Sequence, residues 1–386
     1  MRLQSFDYVE FEGTPRQWSI SGLNLSGVNL LVGKNASGKT RTLNVIYGLA
    51  KMLAGKAKAE FSSGSYSANF EHDGARLSYV LEIVDQKVTK EEFAKNDAVL
   101  LRRWNGGIGS IYHEKEQRHL EFQAPESDLA AVVRMDTIQH RFLEPLRDWG
   151  SGVRHYAFGE AMGRATLALM VKNGPAPDPA DVNAVIALFR KGMQDHPNTF
   201  ADAIKRDMNG IGYQIEDIGV MAPTDLTVQV SSPIPVAPVI LFVKENDLPG
   251  VTQQLQISQG MFRALSIIIH VNYAVIASKP TCLIIDDIGE GLDYERSCSL
   301  IELLGHRVRD TEVQLLMSTN DRFVMNNIPL EEWSVLVREG NKVHVRNYLN
   351  SKELFDEFKS TGLSNFSFLE MDFVNGPPKE ELAAHE

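Results

Sequence analysis

The chain has 386 residues, of which 43% are hydrophobic and 23% charged, so it can bury one large core or two joined ones. Its 39 basic and 50 acidic residues give a formal net charge of -11, which excludes a surface that is basic throughout and confines any nucleic-acid contact to a local patch or a partner. Cys282 and Cys298 are too few for a disulfide framework, which fits a reducing cytoplasm.

In chain order, no basic-then-apolar signal segment opens the sequence. LQSFDYVEF, WSISGLNL and GVNLLVG alternate between Gly and Pro and read as strands. After the glycine-rich GKNASGKT, the stretch RTLNVIYGLAKML has apolar residues at helical spacing. LSYVLEIVD, AVLLRRW, GSIYHE and HLEFQ follow as strands, most simply an antiparallel lobe, and residues 1–124 are assigned to this N-terminal part. Residues 125–245 read as an insertion, helical in SDLAAVVRM, IQHRFLEPLRDW and VNAVIALFRKGM. KNGPAPDPADV breaks it, because three prolines in seven residues cannot stay helical. Strands resume in GYQIEDIGVM, LTVQV and PVILFV. Residues 246–373 then alternate, with helices QGMFRALSIIIHVNYAVIA and ERSCSLIELLGHRV between strands TCLIID and EVQLLMST, which argues for parallel strands with helices packed on them. The apolar stretch ALSIIIHVNYAVIA is too short to span a bilayer, so no integral membrane protein is expected. Residues 374–386 are polar with paired prolines and read as a mobile tail; no repeat or long heptad run is present.

The stretch GKNASGKT fits the phosphate-cradle pattern G-x-x-x-x-G-K-[ST], with a strand before it and a helix after it. Gly33, Lys34, Asn35, Ala36, Ser37, Gly38, Lys39 and Thr40 form the expected ATP-binding loop: glycines let the backbone wrap, its N–H groups face phosphate oxygens, Lys39 reaches the β and γ phosphates, and Thr40 offers an oxygen to Mg²⁺. Such a loop needs an acid at a strand end to hold Mg²⁺, and Asp286 in LIID supplies it; Asp287 stands where a base would act on the attacking water. Upstream, Ser258 and Gly260 begin a long apolar helix and make a second anion-seeking helix start, so two copies could sandwich nucleotide.

The ordered set GKNASGKT, ISQGMFRAL, LIIDDIGEGLD and LLMSTND resembles the ABC-type ATPase heads of the SMC, RecF and OLD group, especially its small stand-alone bacterial members. The likeness covers the first fifty residues and roughly 253–322, and residues 61–245 carry no matching motif. It implies an α/β P-loop NTPase of ABC-head type, with a parallel core sheet, an antiparallel β lobe and an inserted helical region. It further implies Walker A at 33–40, Walker B at Asp286, signature residues Ser258 and Gly260 followed by Arg263, a D-loop residue at Asp293, and a Q-loop glutamine near the metal at Gln123, with Gln86 and Gln139 competing. Two positions depart from the family: Asp287 replaces the usual glutamate and is one methylene shorter, and Asn320 replaces the switch histidine and cannot accept a proton. Both point to slow turnover, with Lys39, Asp287 and Asn320 as the catalytic set.

Glu290 beside its glycines is a candidate substitute base, though a solvated turn residue is the plainer reading. In LLRRWNGG, Arg102, Arg103 and Trp104 offer charge and stacking to nucleic acid, but a strand end with solvated arginines fits an acidic chain better. The ten histidines lack metal-ligand spacing, so nucleotide-bound Mg²⁺ is the metal expected. The resemblance implies a cytoplasmic ATPase that dimerises head to head around ATP and Mg²⁺. It would act on a separate effector such as a nuclease, in DNA maintenance or in defence against phage and plasmids. The alternatives are a nucleotide-sensing scaffold without hydrolysis and, ranked last, a transporter ATPase subunit.

Overall fold

The computed structural model describes residues 1–58, 63–170, 177–224, 237–276, 282–309 and 311–376. The expected strand LTVQV, and all of the expected tail beyond 376, lie outside the described residues. The chain forms two compact units, Met1–Val153 with Leu316–Glu386, and Arg154–Leu315. No helix among the described residues is long and apolar enough to cross a membrane.

The first unit begins with β1 (Arg2–Glu10), β2 (Trp18–Asn24) and β3 (Val28–Val32), then α1 (Lys39–Leu53). β4 (Ser63–His72), β5 (Ala75–Val84), β6 (Lys87–Lys95), β7 (Ala98–Arg103), β8 (Ile108–His113) and β9 (Arg118–Gln123) follow, each pairing antiparallel with the next, and β4 also pairs with β1. The antiparallel lobe is therefore built as expected, but with two more strands. β4 fills alternate inward positions with Gly64, Tyr66, Ala68 and Phe70, so small residues dilute its apolar signal. β6 turns a charge inward, which hides its alternation altogether.

That charge is Glu91, fully buried, with its carboxylate accepting from Ala130 N at 2.6 Å, Ala131 N at 2.8 Å and the Tyr79 hydroxyl at 3.0 Å. The N–H donors belong to α2 (Ala130–Val133), which Glu91 caps from a different strand. Arg103 lies 3.7 Å from the same carboxylate, is also fully buried, and donates to Pro125 O at 2.7 Å and to Asp128 O. Burial raises the Glu91 pKa and lowers that of Arg103, so each charged form depends on its partners. Arg103 is thus no solvated strand end; its neighbour Arg102 is exposed but paired with Glu92 at 2.7 Å. The stretch closes with α3 (Glu144–Gly152), packed on α1.

The second unit contains β10 (Arg154–Ala157), β11 (Ala168–Met170), α4 (Val185–Asp195), α5 (Phe200–Gly210), β12 (Ile215–Met221), β13 (Ala237–Glu245), β14 (Thr252–Gln253), α6 (Gln259–Ile276), β15 (Cys282–Asp286) and α7 (Tyr294–Val308). β10 and β15 run parallel, with Ala157 opposite Asp286, and β13 pairs antiparallel with β11, β12 and β14. Every residue of α6 from 261 to 272 is buried, the polar Arg263, Ser266, His270 and Asn272 among them. Its neighbours are α4, α5 and α7. His270 on this helix sits 5.0 Å from the Tyr156 ring, and burial pushes its pKa down to about 3, so it stays neutral. Asn272 donates to Asp207 at 2.7 Å, and Arg307 pairs with the same carboxylate, tying α5, α6 and α7 together.

The chain re-enters the first unit at Leu316, within β16 (Gln314–Ser318), and ends there with α8 (Arg322–Asn327), β17 (Trp333–Glu339), β18 (Lys342–Asn347), α9 (Lys352–Ser360) and α10 (Ser367–Glu370). β3 lies between β16 and β17, its five residues all buried. β17 runs parallel to β3, and β18 parallel to β2.

Candidate functional site

In the first unit, β3 runs into residues 33–38 and then α1, the strand, loop and helix order that a phosphate cradle needs. Gly38 caps α1 in the left-handed region at φ 104°, and no side chain caps this helix start. A Cβ at Gly38 would lie 3.1 Å from the Trp18 ring, so only glycine lets the loop lie against it without a shift. Lys39 is 6% exposed and folds its ammonium inward, donating to Gly33 O at 2.9 Å and Lys34 O at 3.5 Å. The Ser37 hydroxyl is buried with no hydrogen-bond partner. A cation held over the loop, an orphaned hydroxyl and an uncapped helix start together fit a phosphate group.

The rim of the loop is braced by a residue that no motif marks. Arg338, at the end of β17, donates to Ala36 O at 2.7 Å and to Gly340 O at 2.8 Å. Lys34 reaches Asp372 at 3.2 Å, with both side chains largely exposed. Asn35 and Thr40 are exposed, Thr40 in the first turn of α1. Asn320 is exposed just past β16, the neighbour of β3, so it and the cradle leave adjacent strands. The candidate glutamines lie elsewhere in this unit: Gln123 is the exposed last residue of β9, opposite Ile108, Gln86 is in the β5–β6 turn, and Gln139 is in an exposed turn bonded to Asp136.

In the second unit, Asp286 ends β15 at 6% exposure, and its backbone oxygen accepts from Phe158 N at 2.9 Å. Asp287 follows at φ 53°, in the left-handed region that aspartate and asparagine enter more readily than most residues. The turn itself therefore favours the shorter acid, a reason for aspartate here that reach alone does not supply. Ser258 is exposed and caps α6, its hydroxyl accepting from Met261 N at 3.3 Å. Gly260 packs so tightly on the turn after Asp287 that a Cβ there would fall 2.5 Å from Gly291 O. Arg263 cements the contact by donating to Glu290 O at 2.9 Å, Glu160 O at 3.0 Å and Gly159 O. The Glu290 carboxylate folds against Gly159. Ser258, Gly260, Arg263, Asp286, Asp287, Glu290 and Asp293 are thereby gathered around one helix start and one turn.

Asp293 caps α7, its carboxylate accepting from Arg296 N at 3.0 Å and pairing with the Arg296 guanidinium. The backbone N–H of Arg296 holds its pKa below the usual carboxylate range. Asp293→Ala is expected to cost about 1 kcal/mol of stability in urea denaturation, whereas Asp293→Asn, which keeps an acceptor, costs little. Equal losses in the two variants would mean that the cap is not what Asp293 contributes.

No protein-family model matches the chain, and no curated protein does. Among solved structures, an SMC head bound to the C-winged helix domain of ScpA is similar, with a TM-score of 0.53 and 12% identity over 92% of this chain and 100% of that one. Two others are the SMC head domain from Thermotoga maritima (TM-score 0.45, 13% identity, 90% and 99% coverage) and an Smc head with an extended coiled coil bound to the C-terminal domain of ScpA from Pyrococcus furiosus (0.48, 10%, 94% and 99%). The first of these likenesses shows the fold, that of an SMC head.

Proposed function

We propose that this chain binds ATP with Mg²⁺, closes head to head with a second copy around the nucleotide, hydrolyses it slowly, and so controls a separate effector, such as a nuclease, in DNA maintenance or defence against phage and plasmids. The observation that carries the reading is the cradle: Lys39 turned onto the loop carbonyls beside the orphaned Ser37 hydroxyl at an uncapped helix start. On binding, the Lys39 ammonium exchanges carbonyl oxygens for phosphate oxygens, and Ser37 gains the partner it lacks. Thr40 and Asp286 would hold Mg²⁺, which neutralises charge on the β and γ phosphates. Ser258 and Gly260 offer the start of α6 to the γ phosphate held by the other copy. Asp287 orients the attacking water from a short side chain, and Asn320 hydrogen-bonds phosphate without taking a proton, which makes turnover slow.

The test is the mass of Asp287→Asn in solution with ATP and Mg²⁺, a substitution that the left-handed turn tolerates and that removes the base. A dimer is expected with ATP and a monomer without it, and Ser258→Ala in the same background should return the monomer. Persistence of the monomer with ATP would overturn the head-to-head reading.

A further inference from the structure

Residues 158–166 run between the two halves of the site in the second unit, and side chains from both sides clamp them. The segment starts on the acidic strand, where Phe158 N donates to Asp286 O at 2.9 Å. It passes under Arg263, which takes the carbonyls of Gly159 and Glu160. It ends at the turn before Ser258, where Gln254, fully buried, donates to Gly163 O at 3.2 Å, Arg164 O at 2.9 Å and Thr166 O at 2.8 Å while accepting from Leu241 N at 3.0 Å. The return contact comes from Arg164, whose guanidinium donates from Nη2 to Leu255 O at 2.6 Å and from Nε to Ile257 O at 3.0 Å.

We infer that Arg164 is a positioning residue for Ser258, and that residues 158–166 form a strap through which the strand end at Asp286 sets the attitude of the serine turn. Ser258 is exposed, and its own hydroxyl is engaged only with Met261 N at 3.3 Å, at the long end of the hydrogen-bond range, so its direction is set by the turn that precedes it. The turn is closed on itself by Gln256 N and Ile257 N, which both donate to Gln253 O, leaving the carbonyls of Leu255 and Ile257 to be met from outside. A guanidinium meets both at once because its donors are arranged in a rigid fork; an ammonium is a single point and cannot span them in the same way. The strap's other end is bonded to the backbone of Asp286 itself, so a shift at the acidic strand end is passed to Ser258 through backbone and two arginines rather than through solvent. In the dimer proposed above, on which this functional role rests, Ser258 placement decides how well one copy meets nucleotide held by the other.

The variant is Arg164→Lys, which keeps the charge and loses the fork. Without nucleotide, amide hydrogen exchange across residues 256–262 is expected to rise about tenfold, as for loss of one hydrogen bond from a charged group, with thermal unfolding nearly unmoved. In the Asp287→Asn background, a fluorescent ATP analogue should bind the monomer within twofold of the unsubstituted protein, while the ATP-held dimer dissociates about tenfold more readily. In the otherwise native chain, the same defect should lower kcat and leave KM for ATP nearly unchanged. Unchanged exchange overturns the strap, and a dimer constant within twofold overturns the positioning role. A loss of monomer binding as large as the loss of dimer also overturns it, since the damage would then be general. If Asp287→Asn itself never dimerises, the head-to-head reading falls and takes the positioning role with it, while exchange still decides whether the strap exists.

Discussion

Lys39→Ala is expected to lower single-turnover ATP hydrolysis by roughly a hundredfold to a thousandfold relative to the unsubstituted chain, the range found when one preorganised charge that stabilises a developing anion is removed. The ammonium is almost fully buried and held by loop carbonyls 2.9 Å and 3.5 Å away, so it is already in place before nucleotide arrives and loses little freedom on binding. Phosphoryl transfer also demands little covalent chemistry of a protein, so positioning and charge supply most of the rate. Release of labelled phosphate from a stoichiometric ATP complex, measured for both proteins, checks the expectation. A native rate no faster than that of Lys39→Ala would instead favour a scaffold that senses nucleotide without cleaving it, the reading that Asp287 and Asn320 also fit.

The second large effect concerns folding. Glu91→Ala is expected to destabilise the first unit by about 3–5 kcal/mol, the usual result of removing one member of a buried charge pair. Arg103 would be left fully buried without its carboxylate, two N–H groups of α2 would lose their acceptor, and the Tyr79 hydroxyl would lose its partner. Glu91→Gln keeps one acceptor oxygen, so one of the two amides retains a partner while the other and the Arg103 cation do not, and its cost should fall between zero and that of Glu91→Ala. Urea denaturation followed by tryptophan fluorescence measures both variants and the unsubstituted chain, with Arg102→Ala as the control because Arg102 is exposed beside Arg103 on β7. If Glu91→Ala costs no more than Arg102→Ala, the buried pair is not what holds α2 to the lobe.

Legibility differed sharply between the site and its frame. The cradle could be read because everything that makes it is local: β3, the glycines, Lys39 and the start of α1 follow one another without a gap. Asp286 could be read because an apolar run ending in an acid marks a buried strand that stops at a polar edge. β4 and β6 could not, because their inward positions carry Gly64, Ala68 and Glu91, which look polar or neutral until their partners are known. Arg103 was expected in solvent for the same reason: the carboxylate it meets belongs to β6, across the strand pairing, and nothing near it in the chain announces the pair.

What the sequence determined by itself is the set of groups that seek phosphate and metal, since loop spacing, helix starts and strand ends are short-range matters of backbone geometry and charge. Only the tertiary structure decided which of them stand together and what holds them. It placed Asn320 just past the strand beside β3, packed Gly260 against Gly291, and put Asp287 in a left-handed turn that suits aspartate. It also revealed Arg164, Gln254 and Arg338, whose side chains grip backbone carbonyls remote in sequence. A carbonyl belongs to every residue alike, so no motif records which one an arginine will find; that choice is made when the chain folds and buried polar groups must be satisfied.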